Sequence, residues 1–234
     1  PIAEIENRLR IALVGNPNSG KSSLFNSLTG LNQRVGNFPG VTVEKKSGKC
    51  RINSELVAEV IDLPGTYSLD PKSEDEQVTH DYLFQEQKDD TPEIIIVIAD
   101  ASNLKRSLLI ASQLIDADFP CLLVLNMIDI LEKNDQKIDI PRLEKELGVP
   151  IVAMNARIGK GVDNLKEAIG NYRYLSPKKI IENSIGNYEQ ETLERYKKIK
   201  GITERLLQKK GETKSTKFTR KIDRMMTHPV WGYL

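Results

Sequence analysis

The stretch that decides the fold is GNPNSGKS, residues 15–22, which fits the phosphate-loop pattern G-x-x-x-x-G-K-S. It follows a short apolar run over residues 10–15, typical of a buried strand, and it opens an amphipathic stretch over residues 21–30, typical of a helix. In that context, backbone N–H groups and the N-terminus of a helix bind polyphosphate. The sequence therefore predicts a nucleotide site at a strand-to-helix turn.

Each residue type in this loop has an expected task. The lysine of the pattern reaches the β and γ phosphates and the serine after it binds Mg²⁺, which assigns these tasks to Lys21 and Ser22. The predicted nucleotide-binding residues of this stretch are Gly15, Asn16, Pro17, Asn18, Ser19, Gly20, Lys21, Ser22 and Ser23.

Short apolar runs alternate with amphipathic stretches as far as about residue 172. The predicted strands cover residues 10–15, 41–51, 56–62, 94–100, 120–126 and 149–154, and the predicted helices cover residues 21–30, 76–87, 103–117, 142–148 and 161–172. This alternation is typical of an α/β fold with a mostly parallel sheet and helices on both faces. We expect six strands, one of them an antiparallel edge strand at 41–51 in a hairpin with 56–62.

The charge distribution divides the chain. Residues 1–172 hold 19 Lys and Arg against 26 Asp and Glu, a net charge of −7, whereas residues 173–234 hold 15 against 7, a net charge of +8. Apolar residues recur at helical spacing in the second part, at Leu193, Tyr196, Ile199, Ile202 and Leu206, and again at Phe218, Ile222 and Met225. We therefore predict a domain over 1–172 and a small, basic helical appendage over 173–234.

Composition excludes several classes of protein. With 39% hydrophobic and 29% charged residues, the chain can form a packed core. The longest unbroken apolar run, residues 94–99, is far shorter than the roughly 20 residues that cross a bilayer. The two cysteines, Cys50 and Cys121, are too few for a disulfide framework, and we expect both to be reduced. Because no initiator Met precedes Pro1, we expect the chain to be a piece of a longer protein.

A second motif, DLPG at residues 62–65, ends the predicted third strand. An acidic residue at this place can hold the hydration shell of Mg²⁺, and the backbone N–H of the glycine can meet the γ-phosphate. At this distance from a phosphate loop, the motif assigns those tasks to Asp62 and Gly65.

A third motif, NMID at residues 126–129, closes the strand 120–126 and indicates the base. The carboxylate of Asp129 can accept both N1–H and N2–H₂ of guanine, a pair of donors that adenine lacks. Asn126 and Met127 belong to the same predicted contact, and Asn155, Ala156 and Arg157 follow the next strand, where the Ala156 N–H could meet guanine O6. These motifs, in this order at strand ends, predict GTP as the nucleotide.

The remaining Mg²⁺ candidate is Thr42, which lies in a stretch over residues 35–44 that contains Gly and Pro. A γ-phosphate held through Mg²⁺ by Thr42 and directly by Gly65 would draw two loops inward, and hydrolysis would release them.

The sequence lacks a residue that Ras-like GTPases use for hydrolysis. Ras-like GTPases place a Gln after D-x-x-G to orient the attacking water, but here the residue is Thr66, which is too short. Asn18, the fourth residue of the phosphate loop, could help a monovalent cation bind between the phosphates and stabilise the transition-state charge. The predicted catalytic residues are therefore Asn18, Lys21, Thr42 and Gly65.

These motifs resemble the cytosolic G-domain of the bacterial ferrous-iron transport protein B (FeoB) family. The resemblance covers GNPNSGKS at 15–22, NFPGVTVE at 37–44, DLPGTYSL at 62–69, DASNL at 100–104, LNMID at 125–129 and LGVPIV at 147–152. Residues 222–224 and 228–232 also resemble the family's approach to its first transmembrane helix. Where the family commonly has Ser in the guanine loop, this chain has Asn155.

The resemblance implies a Ras-like P-loop GTPase fold and a GTPase at the cytoplasmic face of the bacterial inner membrane, attached to its own transmembrane domain. It implies Mg²⁺ as cofactor and hydrolysis stimulated by K⁺, with Asn18 as a ligand of that cation. It also implies regulation of iron uptake and small cytosolic Feo-system accessory proteins as partners, and it leaves a homo-oligomer open.

Two other classes are open from the residues alone. An RNA-associated GTPase of ribosome assembly or tRNA modification would share the Asn-bearing phosphate loop, but no G-x-x-G clamp and no aromatic RNP motif is present, so no nucleic acid is expected. A pure binding module would bind GTP without turnover.

Overall fold

The computed structural model describes residues 8–30, 33–84, 91–173, 179–181 and 188–209. The strands are β1 (Arg8–Gly15), β2 (Gln33–Asn37), β3 (Glu44–Arg51), β4 (Val57–Asp62), β5 (Ile94–Asp100), β6 (Cys121–Asn126), β7 (Gln136–Ile138), β8 (Ile151–Ala153) and β9 (Leu207–Lys209). The helices are α1 (Lys21–Thr29), α2 (Glu74–Phe84), α3 (Leu104–Asp116), α4 (Ile128–Lys133), α5 (Ile140–Leu147), α6 (Val162–Gly170) and α7 (Tyr188–Leu206).

The main sheet is mostly parallel, as predicted, but it has seven strands in the described residues rather than six. Its order is β2-β3-β4-β1-β5-β6-β8, in which β4, β1, β5, β6 and β8 run parallel and β2 and β3 are antiparallel. The unexpected strand is β2, whose five residues are all exposed and which pairs with β3 alone among the described residues. Strand β3 begins at Glu44 rather than at residue 41.

Helices cover both faces of this sheet, which confirms the predicted α/β arrangement. On one face α1 and α6 bury residues such as Leu24, Phe25 and Leu165 against the sheet. On the other face α2, α3, α5 and α7 contribute to a second cluster of buried side chains. Strand β5 lies between the two and is almost entirely buried, as expected for a parallel strand covered on both faces.

Helix α7 packs against α3 and α5. Of the predicted apolar stripe, Ile199, Ile202 and Leu206 are buried in the same cluster as α3, whereas Leu193 and Tyr196 are exposed. After α7, strand β9 pairs with β7 in a separate antiparallel pair. The second predicted helix, with Phe218, Ile222 and Met225, lies outside the described residues.

Both cysteines are buried and free of disulfide bonds. Burial raises the pKa of the Cys121 thiol and, against a smaller opposing effect of Lys166, the pKa of the Cys50 thiol. Within the ranges that the structure describes, no helix is both long enough and apolar enough to cross a membrane.

A candidate nucleotide-binding site

The predicted motifs meet at one edge of the sheet. The phosphate loop follows β1, DLPG follows β4, NMID follows β6, and residues 155–157 follow β8. Because these four strands are parallel, their carboxyl ends lie at the same edge, where ligands bind in open α/β sheets. The fold therefore places all four motifs around one site.

The phosphate loop is tied to the guanine motif by the side chain of Asn126. Its Nδ2 donates to the Ser19 carbonyl at 2.9 Å, and its Oδ1 accepts from the Ala156 N–H at 2.9 Å. Asn126 is only 3% exposed. One buried amide thus joins the phosphate loop, β6 and the loop after β8.

This close approach explains why Gly20 is a glycine. Its φ is +91°, a conformation that side chains disfavour, and a Cβ at this position would lie 2.1 Å from Asn126 Nδ2. A larger residue would therefore separate the two loops that Asn126 joins.

Two buried polar atoms in the phosphate loop, Asn16 Oδ1 and Ser19 Oγ, have no hydrogen-bond partner among the described residues. Unsatisfied buried groups are uncommon in folded proteins and often mark a place where a ligand or ion completes the bonding. Their presence in this loop fits the cradle for a polar ligand that the sequence predicts.

The structure brings Lys21 and Asp62 together. The Lys21 ammonium forms an ion pair with Asp62 Oδ1, and both side chains are mostly buried. The lysine predicted to bind phosphate and the carboxylate predicted to hold the Mg²⁺ hydration shell therefore lie next to each other. Ser22 and Ser23 lie in the first turn of α1 and are exposed, and Asn18 is exposed with a φ of +65°.

The donors fit Mg²⁺ by their chemistry, because Ser22 supplies a hydroxyl oxygen and Asp62 a carboxylate oxygen, the hard ligands that Mg²⁺ prefers. Thr42 is exposed in the loop between β2 and β3. No hydrogen bond in the described part of the chain joins Thr42 to Ser22 or Asp62, and its role as a Mg²⁺ ligand stays a prediction.

The loop after β4 packs on the phosphate loop. A Cβ on Gly65 would lie 3.0 Å from Pro17 Cγ, and the Thr66 N–H donates to the Gly15 carbonyl at 3.1 Å. The Thr66 side chain is 1% exposed, and its hydroxyl donates to the Ser68 carbonyl at 2.7 Å. The Thr66 hydroxyl therefore stabilises its own loop.

The predicted guanine-reading carboxylate, Asp129, lies in the first turn of α4. Its Oδ1 accepts from Asn155 Nδ2 at 3.0 Å, and Asn155 Oδ1 accepts from the Arg157 N–H at 3.2 Å. The Ala156 N–H, expected to meet guanine O6, donates instead to Asn126 in this structure. Met127 has a φ of +62°, which turns the chain between Asn126 and α4.

The sequence did not reveal two supporting residues. Ser27 on α1 donates to the Ala156 carbonyl at 3.0 Å and so holds the guanine loop. Glu76 accepts from the N–H groups of Tyr67 at 3.2 Å and Lys72 at 2.9 Å and so holds the loop after β4. The S-x-x-E spacing of Ser73 and Glu76 is typical of a helix start, but nothing local in the sequence indicates the contact with Tyr67.

Comparison with known proteins bears on the family and the fold of the chain. The profile of the N-terminal FeoB family, described as ferrous iron transport protein B, matches residues 9–169. The Fe(2+) transporter FeoB of Escherichia coli (strain K12) is 44% identical over 170 residues, which are 71% of this chain and 21% of that protein. The chain thus spans about a fifth of the length of the curated relatives it matches.

Solved structures extend the similarity beyond the family match. The cytosolic domain of L. pneumophila FeoB is 32% identical, with a TM-score of 0.74 over 86% of this chain and 100% of that one. The cytosolic domain of T. maritima FeoB in its GMPPNP form is 28% identical, with a TM-score of 0.75 over 86% of this chain and 99% of that one. The phosphate loop, the ordered motifs and these matches together show that the chain has a P-loop GTPase fold and belongs to the FeoB family.

Proposed function

We propose that this chain is the GTP-binding and GTP-hydrolysing domain of a bacterial Fe²⁺ transporter and that its nucleotide-dependent loops regulate iron uptake. The observation that carries the proposal is the pair of hydrogen bonds from Asn126, which joins the phosphate loop to the guanine loop at one edge of the sheet. Two loops locked in that relation present phosphate-binding and base-binding groups in a fixed register.

Binding follows from the groups around this edge. The backbone N–H groups of the phosphate loop and the start of α1 receive the phosphates, and Lys21 exchanges its ion pair with Asp62 for the β and γ phosphates. Asp129 accepts the N1–H and N2–H₂ donors of guanine, with Asn155 fixing the carboxylate from the other side. Ser22 and Asp62, with Thr42, hold Mg²⁺, which neutralises charge on the phosphate oxygens when it is bound.

Two loops change with the nucleotide in this proposal. Residues 35–44 contain Thr42, and residues 65–73, called the second switch loop below, contain Gly65. When GTP is bound, both loops move toward the γ-phosphate, and when GDP is bound, both loops move away from the site. Thr42 is exposed in this structure, and we propose that it becomes covered when GTP is bound.

Hydrolysis proceeds without a side chain in the position of the Ras glutamine. Thr66 is buried and hydrogen-bonded within its own loop, so backbone groups place the attacking water. Asn18 would hold K⁺ in this proposal, and the bound cation would supply the positive charge that an arginine finger supplies elsewhere.

The remaining partners follow from the family. The full-length relatives carry the name Fe(2+) transporter, and we propose that this domain acts on its own transmembrane domain at the cytoplasmic face of the inner membrane. Small cytosolic Feo-system proteins and a second copy of the chain are further proposed partners.

The first experiment compares GTP hydrolysis in K⁺ and in Na⁺ at equal ionic strength. We expect strong stimulation by K⁺ that disappears in Asn18→Gly, a substitution chosen because Gly accepts the φ of +65° that Ala would strain. Asp135→Gly, at another positive φ, is the matched control and keeps the stimulation. Equal, slow rates of hydrolysis in both salts would contradict the proposed role of K⁺. Binding of GTP without hydrolysis in either salt would indicate instead that the chain is a pure GTP-binding module.

A second experiment tests the base. Asp129→Ala should abolish the preference for GTP over ATP, because the carboxylate is the group that distinguishes the two bases. A variant that still preferred GTP would contradict the assignment. Salt-dependent binding of RNA by the chain would instead favour an RNA-associated GTPase.

A further inference from the structure

The second switch loop is held from the side by helix α3. The Leu69 N–H donates to Gln113 Oε1 at 2.9 Å. The guanidinium carbon of Arg106 lies 4.0 Å from the centroid of the Tyr67 ring, in a cation–π contact. Arg106 and Gln113 are seven residues apart, two turns of the helix, and therefore lie on one face of α3.

Helix α3 is a rigid support for these two contacts. Leu108, Ala111 and Ile115 are each at most 1% exposed and belong to the main hydrophobic cluster on that face of the sheet. Side chains carried by such a helix hold a loop more accurately than contacts within the loop can.

The need for such support comes from the chemistry proposed above. The residue after D-x-x-G offers no free side chain to orient the attacking water, because the Thr66 hydroxyl donates to the Ser68 carbonyl. The Thr66 N–H is already bonded to the Gly15 carbonyl. The place of the water then depends on the backbone of residues 65–69, and on whatever fixes that backbone.

We propose that Arg106 and Gln113 are positioning residues for GTP hydrolysis, which hold the second switch loop so that its backbone places the attacking water. The inference rests on the proposed GTPase function and deepens it. In the part of the chain that the structure describes, neither side chain forms a hydrogen bond or ion pair with a predicted nucleotide-binding residue, so both act on the rate of hydrolysis rather than on binding.

The test compares Arg106→Met, Gln113→Met and a control, Lys105→Met. Lys105 is the neighbour of Arg106 on α3, but its ammonium pairs with Glu204 of α7 at 3.1 Å and not with the loop. We expect kcat in K⁺ to fall about tenfold or more in both test variants, the order of loss caused by a small misplacement of reacting groups. The affinity for GTP and GDP stays within about twofold of the wild type, and Lys105→Met keeps its kcat.

Conservative variants separate positioning from a general loss of structure. Gln113→Glu keeps an acceptor oxygen for the Leu69 N–H and should recover most of the activity. Arg106→Lys keeps the charge but loses the planar face, so its kcat should lie between those of the wild type and Arg106→Met.

A readout without turnover completes the test. Hydrogen exchange of the Leu69 amide should be faster in Gln113→Met than in the wild type and unchanged in Lys105→Met. Unchanged kcat and unchanged exchange in both test variants, with a wild type that hydrolyses GTP, would overturn this inference alone. A wild type that neither binds nor hydrolyses GTP would overturn the proposed function and the inference with it, even if the exchange result held.

Discussion

At the residue scale, substitutions at two glycines with positive φ distinguish the effect of a steric clash from the effect of backbone strain. Gly20 and Gly30 both have φ in the left-handed region, but a Cβ on Gly20 would lie 2.1 Å from Asn126 Nδ2, whereas nothing lies within 4 Å of a Cβ on Gly30. We expect Gly20→Ala to lower the affinity for GDP by more than about tenfold, because Asn126 must move. Titration with a fluorescent GDP analogue measures the change.

Gly30→Ala is the matched control for that prediction. It carries only the backbone cost of a side chain at φ +57° and ψ −130°, about 1 to 3 kcal/mol of unfolding free energy, with no clash. Urea denaturation measures this cost, and GDP affinity should be retained. Equal losses of affinity in the two variants would show that strain, not the contact with Asn126, explains Gly20.

The amide of Asn155 orients the predicted guanine-reading carboxylate. Because Asn155 Nδ2 donates to Asp129 Oδ1, Asn155→Ala leaves the carboxylate less well oriented toward guanine. Hydrogen bonds to charged groups contribute about 1.5–3 kcal/mol, so we expect GDP to dissociate at least about tenfold faster, as measured by stopped-flow fluorescence. Ile158→Ala, on the same loop and 70% exposed, should release GDP at the wild-type rate.

At the element scale, Ser73 caps the start of α2, the helix next to the second switch loop. Ser73 Oγ accepts from the Glu76 N–H at 3.3 Å, while the Glu76 carboxylate reaches past Ser73 to Lys72 and Tyr67. Ser73→Ala should therefore reduce the free energy of unfolding by about 1 kcal/mol, the usual effect of losing an N-cap. Denaturant unfolding measures it, and Ser54→Ala, in the exposed turn before β4, should leave the stability unchanged.

The elements that the sequence predicts well are those whose own residues are buried. Strand β5 and helix α3 are predicted well because nearly every apolar residue in them faces the core. Strand β2 escaped prediction because it is polar, fully exposed and defined only by its pairing with β3. The pairing of β7 with β9 joins residues some 70 positions apart, and no local pattern predicts a contact of that range.

The same distinction holds for the candidate site, where the sequence predicts the motifs but not the hydrogen bonds among them. Its motifs could be predicted because each residue type is required by the chemistry of phosphate, Mg²⁺ or guanine. The bonds among them could not, since the link from Asn126 to Ser19 joins side chain and backbone across 107 residues. The exposed Thr42 shows the same limit, because its predicted partners lie on other elements and only the fold decides the distance.

At the scale of the whole molecule, helix α7 is joined to the rest of the fold by a buried ion pair. The guanidinium of Arg195 contacts Asp116 at the end of α3, and the exposed fractions of the two side chains are 4% and 10%. Asp116 also accepts from the N–H groups of Ile180 and Ile181. One carboxylate thus connects α3, residues 180–181 and α7.

Because the pair is buried, removal of Arg195 leaves the Asp116 charge without its counterion and held by the N–H groups of Ile180 and Ile181. We expect Arg195→Met to reduce the free energy of unfolding by about 3–5 kcal/mol, or to release α7 from α3 at a smaller cost, because the Asp116 charge loses its counterion. Limited proteolysis of residues 188–209 and urea denaturation distinguish the two results. Lys197→Met, exposed on the same helix, should change neither measurement.

The position of Asp116 gives this prediction a second readout. The same helix α3 contacts the second switch loop through Gln113, one turn earlier, and it contacts α7 through Asp116 and Lys105. If α3 stays fixed by its own buried residues, Arg195→Met should loosen α7 while the Leu69 amide keeps its protection from hydrogen exchange. Loss of protection at both places would show instead that the docking of α7 holds α3 in position, and that the helical appendage and the second switch loop form one cooperative unit.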